Sequence, residues 1–259
     1  MRFFISFFLM LSTINCFAGD INGIEKELVS CVKRINQLKL NKGLVDNSVR
    51  NFDSLYNESN TLKAKILAYT VAEPGTISYP FDSLRKYIDI ASSEDNKFRI
   101  YSWRIETKDK MEFFNDIFQY EAQGKVYSTM INYNDEYDPK GYYSDIYTLK
   151  CGTDTTIYMG YFHAFYSPKD FSDSYQTFQI VGDQLHDSIP IFKVKDDSVA
   201  SSIEVLFNPI SQARYMKKLI LYNPKKRQIR IRQTDNYGLI LTKFKKLIFN
   251  GKQFEYSEK

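Results

Sequence analysis

The sequence predicts an α+β fold, mostly antiparallel β, in which an N-terminal helical hairpin packs on a meandering β domain. Three observations carry this. Apolar residues recur at helical spacing between Asp20 and Ala72, period-2 alternation dominates from Tyr87 onward, and short turn-forming phrases separate the alternating runs. With 20 Tyr and 20 Phe the chain has ample core material, and aromatics at this density favour strands.

Residues 1–18 read as a targeting segment. Arg2 is its only charge, an apolar run follows from Phe3 to Leu11, and Cys16-Phe17-Ala18 puts small residues at the −3 and −1 positions of a signal-peptidase site. The run is too short to span a bilayer, so the chain is expected to be secreted or periplasmic after cleavage. Lipid anchoring through Cys16 is the lesser alternative, because Asn15 is not the small residue expected before an acylated cysteine.

Two helices follow, over residues 19–73. Ile21, Ile24, Leu28, Cys31, Ile35 and Leu38 form one stripe, with Asp20 as N-cap and Gly43 beyond the end. A second helix is expected from about Asp46 to Ala72, its stripe made by Val49, Phe52, Leu55, Tyr56, Leu62, Ile66, Leu67 and Tyr69, with Pro74-Gly75 as the stop.

Residues 74–259 form the expected β domain. Tyr79-Pro80-Phe81-Asp82-Ser83-Leu84 carries three large apolar side chains and reads as a tether. The first hairpin pairs Tyr87-Ile88-Asp89-Ile90 with Phe98-Arg99-Ile100-Tyr101-Ser102-Trp103 through Ser92-Ser93-Glu94-Asp95-Asn96. About a dozen short strands follow with tight turns, which makes the sheet antiparallel. The meander closes as a propeller-like array, a barrel or an open twisted sheet. The turn before Phe98 resembles the Ser-x-Asp-x-Lys phrase of propeller blades, but no fixed repeat continues it.

The phrases Tyr79-Pro80-Phe81-Asp82-Ser83-Leu84 and Phe98-Arg99-Ile100-Tyr101-Ser102-Trp103 together resemble a group of uncharacterised secreted bacterial proteins that share them. The resemblance is strongest from Tyr79 to Ser128. It implies secretion and a β-rich body, and it carries no activity or catalytic residue.

Catalytic motifs are missing: there is no Gly-x-Ser-x-Gly, His-Glu-x-x-His, phosphate-binding glycine loop or Cys-x-x-Cys. A triad gathered from separate strands stays open, with serines and aspartates too plentiful to single any out. No catalytic residue, cofactor or metal ligand is therefore assigned. His163 shares a strand face with Phe165 and reads as a half-buried histidine satisfied by a hydrogen bond. His186 falls in a solvated turn. The acidic loop Asn134-Asp135-Glu136-Tyr137-Asp138 departs from the EF-hand spacing and reads as solvated rather than calcium-binding.

Cys31 and Cys151 either pair as a disulfide in an oxidising compartment or stay as two buried thiols, and their spacing does not decide. Arg99, Tyr101 and Trp103 share one strand face. They form either a ligand or interface platform or, as favoured here, the surface that the helical hairpin covers.

Residues 106–200 hold 16 acidic and 8 basic side chains, whereas residues 201–259 hold 13 basic and 4 acidic. The two halves neutralise each other as neighbours or the basic one meets an acidic partner. Arg230 and Arg232 alternate with Ile229 and Ile231, an amphipathic strand whose charged face discourages edge pairing, or else a site for an anionic glycan or lipid headgroup. The expected function is a non-enzymatic binding module, monomeric, with an envelope or extracellular protein or glycan as partner and no nucleic acid. A hydrolase acting on envelope material is the alternative, and converging titratable groups in a cleft would favour it.

Overall fold

The computed structural model describes residues 20–40, 48–106, 112–131, 140–167, 169–193, 198–208 and 218–257. Residues 1–18, the C-terminal glycine expected at 43 and the acidic loop lie outside them, as do the side chains of Val49 and Phe52. Helix α1 spans Ile21–Leu40 and α2 spans Ser48–Ala72. Asp20 caps α1 as expected, its Oδ1 accepting from Gly23 N at 2.9 Å. No helix among the described residues is long and apolar enough to cross a membrane.

Among the described residues fifteen strands follow, and they divide into three sheets rather than one closed barrel. The first sheet has the order β1–β2–β3–β4 (Asp89–Ser92, Phe98–Glu106, Glu112–Ala122, Lys125–Thr129), a meander joined by tight turns. At the β3–β4 turn both Gln123 (φ 52°) and Gly124 (φ 73°) are left-handed, as a two-residue hairpin loop requires.

The second sheet has the order β11–β7–β6–β5 (Ser202–Phe207, Asp170–Val181, Thr155–Ser167, Lys140–Cys151), with β8 (Gln184–Asp187) also pairing β7. The third runs β10–β9–β15–β14–β13–β12 (Val199–Ala200, Phe192–Lys193, Phe254–Tyr256, Ile240–Phe249, Gln228–Thr234, Ile220–Asn223). Among the described residues every strand pairing is antiparallel except the short contact of β15 with β9.

Three cores stack these parts into layers. Leu28, Cys31, Val32, Leu62 and Ile66 of the helices meet Ile90, Tyr101, Trp103 and Ile117 on one face of the first sheet. Its other face, with Phe98, Ile100 and Phe118, meets Tyr143, Tyr158, Phe162 and Phe178 of the second. The second sheet's far face, with Met159, Tyr161 and Tyr175, meets Ile220, Ile229, Leu247 and Phe254 of the third. A sheet buried on both sides cannot alternate polar with apolar. That is why β2 carries aromatics on both faces.

The tether is pinned rather than hinged. Glu25 on α1 is buried and accepts from Ser83 N (2.7 Å), Leu84 N (3.0 Å) and Tyr79 Oη (3.1 Å). Phe81 is fully buried although its φ is 53°, a costly backbone for a bulky residue that the packed ring holds in place.

Candidate functional site

Strand β6 lies between β5 and β7, and its register sets three side chains in one row. Tyr142 pairs with His163, and His163 with Asp173, all on the face turned toward the third sheet. Gly141 lets β5 come this close, since a Cβ there would stand 1.9 Å from the His163 carbonyl oxygen. One step on, the ladder slips: Tyr143 pairs with Phe162 but Asp145 pairs with Tyr161, leaving Ser144 as the extra residue. Such a bulge re-aims a side chain. Here it brings the Ser144 hydroxyl to His163.

The resulting geometry is a serine–histidine–aspartate relay. Ser144 Oγ lies 3.0 Å from His163 Nε2, and His163 Nδ1 lies 2.8 Å from Asp173 Oδ1. A carboxylate only accepts, so the Asp173 contact places a proton on Nδ1 and leaves Nε2, which faces Ser144, as the ring nitrogen able to take up a proton. Asp173 is itself fixed, its Oδ2 accepting from Tyr161 Oη at 2.6 Å and from Leu219 N at 3.2 Å. The Asp173 side chain is 6% exposed while that of His163 is 23% exposed. The imidazole is thus partly reachable from solvent and the carboxylate beside it is not.

The surroundings add charge and rings. Ser144 Oγ also lies 2.6 Å from Asp145 Oδ2, and Lys218 Nζ reaches that same oxygen at 2.6 Å. Burial pulls the Lys218 ammonium down, but its bonds to Asp145 and Tyr147 more than offset this and leave its pKa raised. Tyr142 stacks on His163 with ring centres 4.7 Å apart. Burial, then the nearby Asp89 and Asp173, pushes its phenol up to about 12. Asp89 on β1 is likewise raised by burial, with His163 opposing the shift. A row of half-buried rings continues outward: Phe114 stacks on Phe165 (5.6 Å), which meets Phe171 (4.7 Å), which meets Phe207 (6.0 Å).

His163 is the half-buried, hydrogen-bonded histidine expected, but sequence reading assigned no role to Ser144 or Asp173. Asp173 left a signal, a carboxylate sharing a strand face with Phe171 and Tyr175. Ser144 left none, because its direction depends on the bulge.

The platform is corrected as a ligand surface. Arg99, Tyr101 and Trp103 are 2%, 0% and 3% exposed, covered by the helices and the tether. Arg99 donates to the carbonyls of Thr76 and Tyr79, both at 2.7 Å, and to Ser92 Oγ at 2.8 Å. The Tyr101 hydroxyl donates to Gln119, and Trp103 Nε1 to Ser59 Oγ at 3.0 Å. The helical hairpin needs an apolar face, and this one supplies it.

The disulfide alternative is also corrected. Cys31 and Cys151 are free thiols, the first in the helix–sheet core and the second against the core of the second and third sheets. Separate cores keep them out of bridging reach. His186 is exposed on β8. Arg230 and Arg232 lie over the Phe244 ring at 4.2 and 4.6 Å, on a strand inside the third sheet rather than at its edge. A groove of about 620 Å³ runs along α1, lined by Asn22, Glu25, Lys26, Val29, Lys33 and Ser83. Its one carboxylate is occupied by the tether.

Among the described residues no group of histidine, cysteine and acidic side chains is arranged to hold a metal ion. No protein-family model, curated protein or solved structure matches the chain.

Proposed function

We propose that the chain is a hydrolase of the acyl-transfer type, acting outside the cytoplasm once residues 1–18 are removed. The relay of Ser144, His163 and Asp173 carries this reading. In it, Ser144 Oγ bonds to the carbonyl carbon of an ester or amide while its proton passes to His163 Nε2. Asp173 holds the imidazolium that forms. His163 returns the proton to the leaving alcohol or amine, and the bond to that group breaks. Water, deprotonated by the same nitrogen, then releases the acid and restores Ser144.

The test is labelling with a fluorophosphonate, which bonds covalently to activated serines. Peptide mapping should find the label on Ser144, and Ser144→Ala and His163→Asn should lose it while keeping their melting temperature. Labelling that survives Ser144→Ala overturns the reading, as does failure to label Ser144 in any background.

A second reading keeps the surface and drops the chemistry. The rings of Phe114, Tyr142, Phe165, Phe171 and Phe207 would suit a non-enzymatic binding module for an extracellular protein or glycan, since binding sites favour aromatic lining with few polar groups. Capture of envelope glycan by an unlabelled protein, lost in Tyr142→Ala, would support that reading over the first.

A further inference from the structure

Ser144 has one hydroxyl proton and two acceptors in reach. Asp145 Oδ2 at 2.6 Å is the nearer, and His163 Nε2 stands at 3.0 Å. A charge-assisted hydrogen bond is shorter and stronger than a neutral one, so at rest the proton points to Asp145. That orientation is unproductive for attack, because only His163 is placed to take the proton and hand it on. Lys218 Nζ contacts the same Asp145 Oδ2 at 2.6 Å and also donates to Tyr147 Oη at 3.0 Å. It competes with Ser144 for that oxygen and sets a positive charge beside the site. A cation there favours the alkoxide forming on Ser144, and an unopposed carboxylate disfavours it.

We infer that Asp145 and Lys218 are a pair of positioning residues acting in opposite senses on Ser144: Asp145 holds the nucleophile's proton away from His163, and Lys218 weakens that hold. This rests on the proposed hydrolytic role of Ser144. Neither residue need touch the reacting carbonyl. Both act through the direction of one O–H bond and the charge around it.

The opposite signs make the experiment decisive. In the full-length chain, Asp145→Ala removes the competing acceptor and should raise the second-order rate of fluorophosphonate labelling by about tenfold, the scale of one charge-assisted bond lost from the resting state. Lys218→Met leaves the Asp145 carboxylate unopposed and should lower that rate by a similar factor. His163→Asn added to Asp145→Ala should abolish labelling, which shows that the released proton goes to His163. A purely structural pair would slow labelling in both variants and lower both melting temperatures. Wild type that labels while Asp145→Ala labels no faster overturns the inference and leaves the hydrolase reading standing. Labelling of neither form overturns both. Labelling of Asp145→Ala alone supports both.

Discussion

Asp116 pairs across the first sheet with Ser102, which pairs in turn with Asp89, so two carboxylates flank one hydroxyl on a face turned toward β5. Ser102 Oγ donates to Asp116 Oδ1 at 2.5 Å and accepts from Tyr143 N at 3.2 Å, linking the first two sheets through a single atom. Burial raises the Asp116 carboxyl from 3.8 to about 7, the Ser102 bond opposing the shift and Asp89 adding to it. The unfolded chain would therefore ionise Asp116 near pH 4 and the folded chain only near pH 7. Rising pH through that window favours the unfolded state, so the group is least destabilising in acid and most so above neutrality. Three pH units correspond to about 4 kcal/mol, an upper bound because water reaches part of the side chain. Asp116→Asn keeps an acceptor for Ser102 and removes the charge. Its melting temperature should exceed that of wild type at pH 8, with the gap closing toward pH 5. An equal gap at both pH values would contradict the shift.

At the scale of elements, the contact of α2 with β2 is where the tryptophan matters. Trp103 is 3% exposed, and its only polar atom is paired with Ser59 on α2. Trp103→Ala should destabilise by about 3–5 kcal/mol, the usual range for a large aromatic removed from a core. Because it is the chain's only tryptophan, its emission reports this contact alone, and we expect blue-shifted fluorescence poorly quenched by acrylamide. A readily quenched signal in the folded protein would contradict the covered position.

These elements were legible because their signals are local. The stripe through Leu28, Cys31 and Ile35 has helical period, the cap at Asp20 precedes it, and strands such as Phe98–Glu106 alternate between polar turns. That α1 and α2 would cover Trp103 followed from their need for an apolar partner. Sheet order was not legible, since it depends on pairings such as β11 with β7 that cross long stretches of chain. The site was legible only at His163. Asp173 becomes its partner by inter-strand register, and Ser144 by a one-residue bulge between Tyr143 and Asp145 that leaves no mark on the alternation.

Across the whole molecule the layers depend on one another unequally. The second and third sheets enclose their own core, and the opposite charges of residues 106–200 and 201–259 meet in contacts such as Lys218 with Asp145. The first sheet has no such independence. One of its faces is covered by α1, α2 and the tether, which together bury Ile90, Tyr101, Trp103 and Ile117. A buried side chain of this size contributes about 1.5–3 kcal/mol, so baring these four alone approaches the 5–15 kcal/mol that holds a typical domain together. The loss is larger than that sum, because Arg99 and Gln119 also gain much of their pairing from the tether and α2. Gln119 Nε2 donates to Thr70 O at 3.1 Å and to Thr76 Oγ1 at 2.8 Å. A 74–259 fragment would keep the Arg99 contacts to Thr76 and Tyr79 only if that tether kept its shape without Glu25 of α1 beneath it. We therefore expect the 74–259 fragment, made alone, to melt without a cooperative transition in its first sheet and to aggregate through that face. Limited proteolysis of the whole chain should not release it intact. A soluble 74–259 fragment with a single sharp thermal transition would show that the helices are an appendage rather than a layer of the fold.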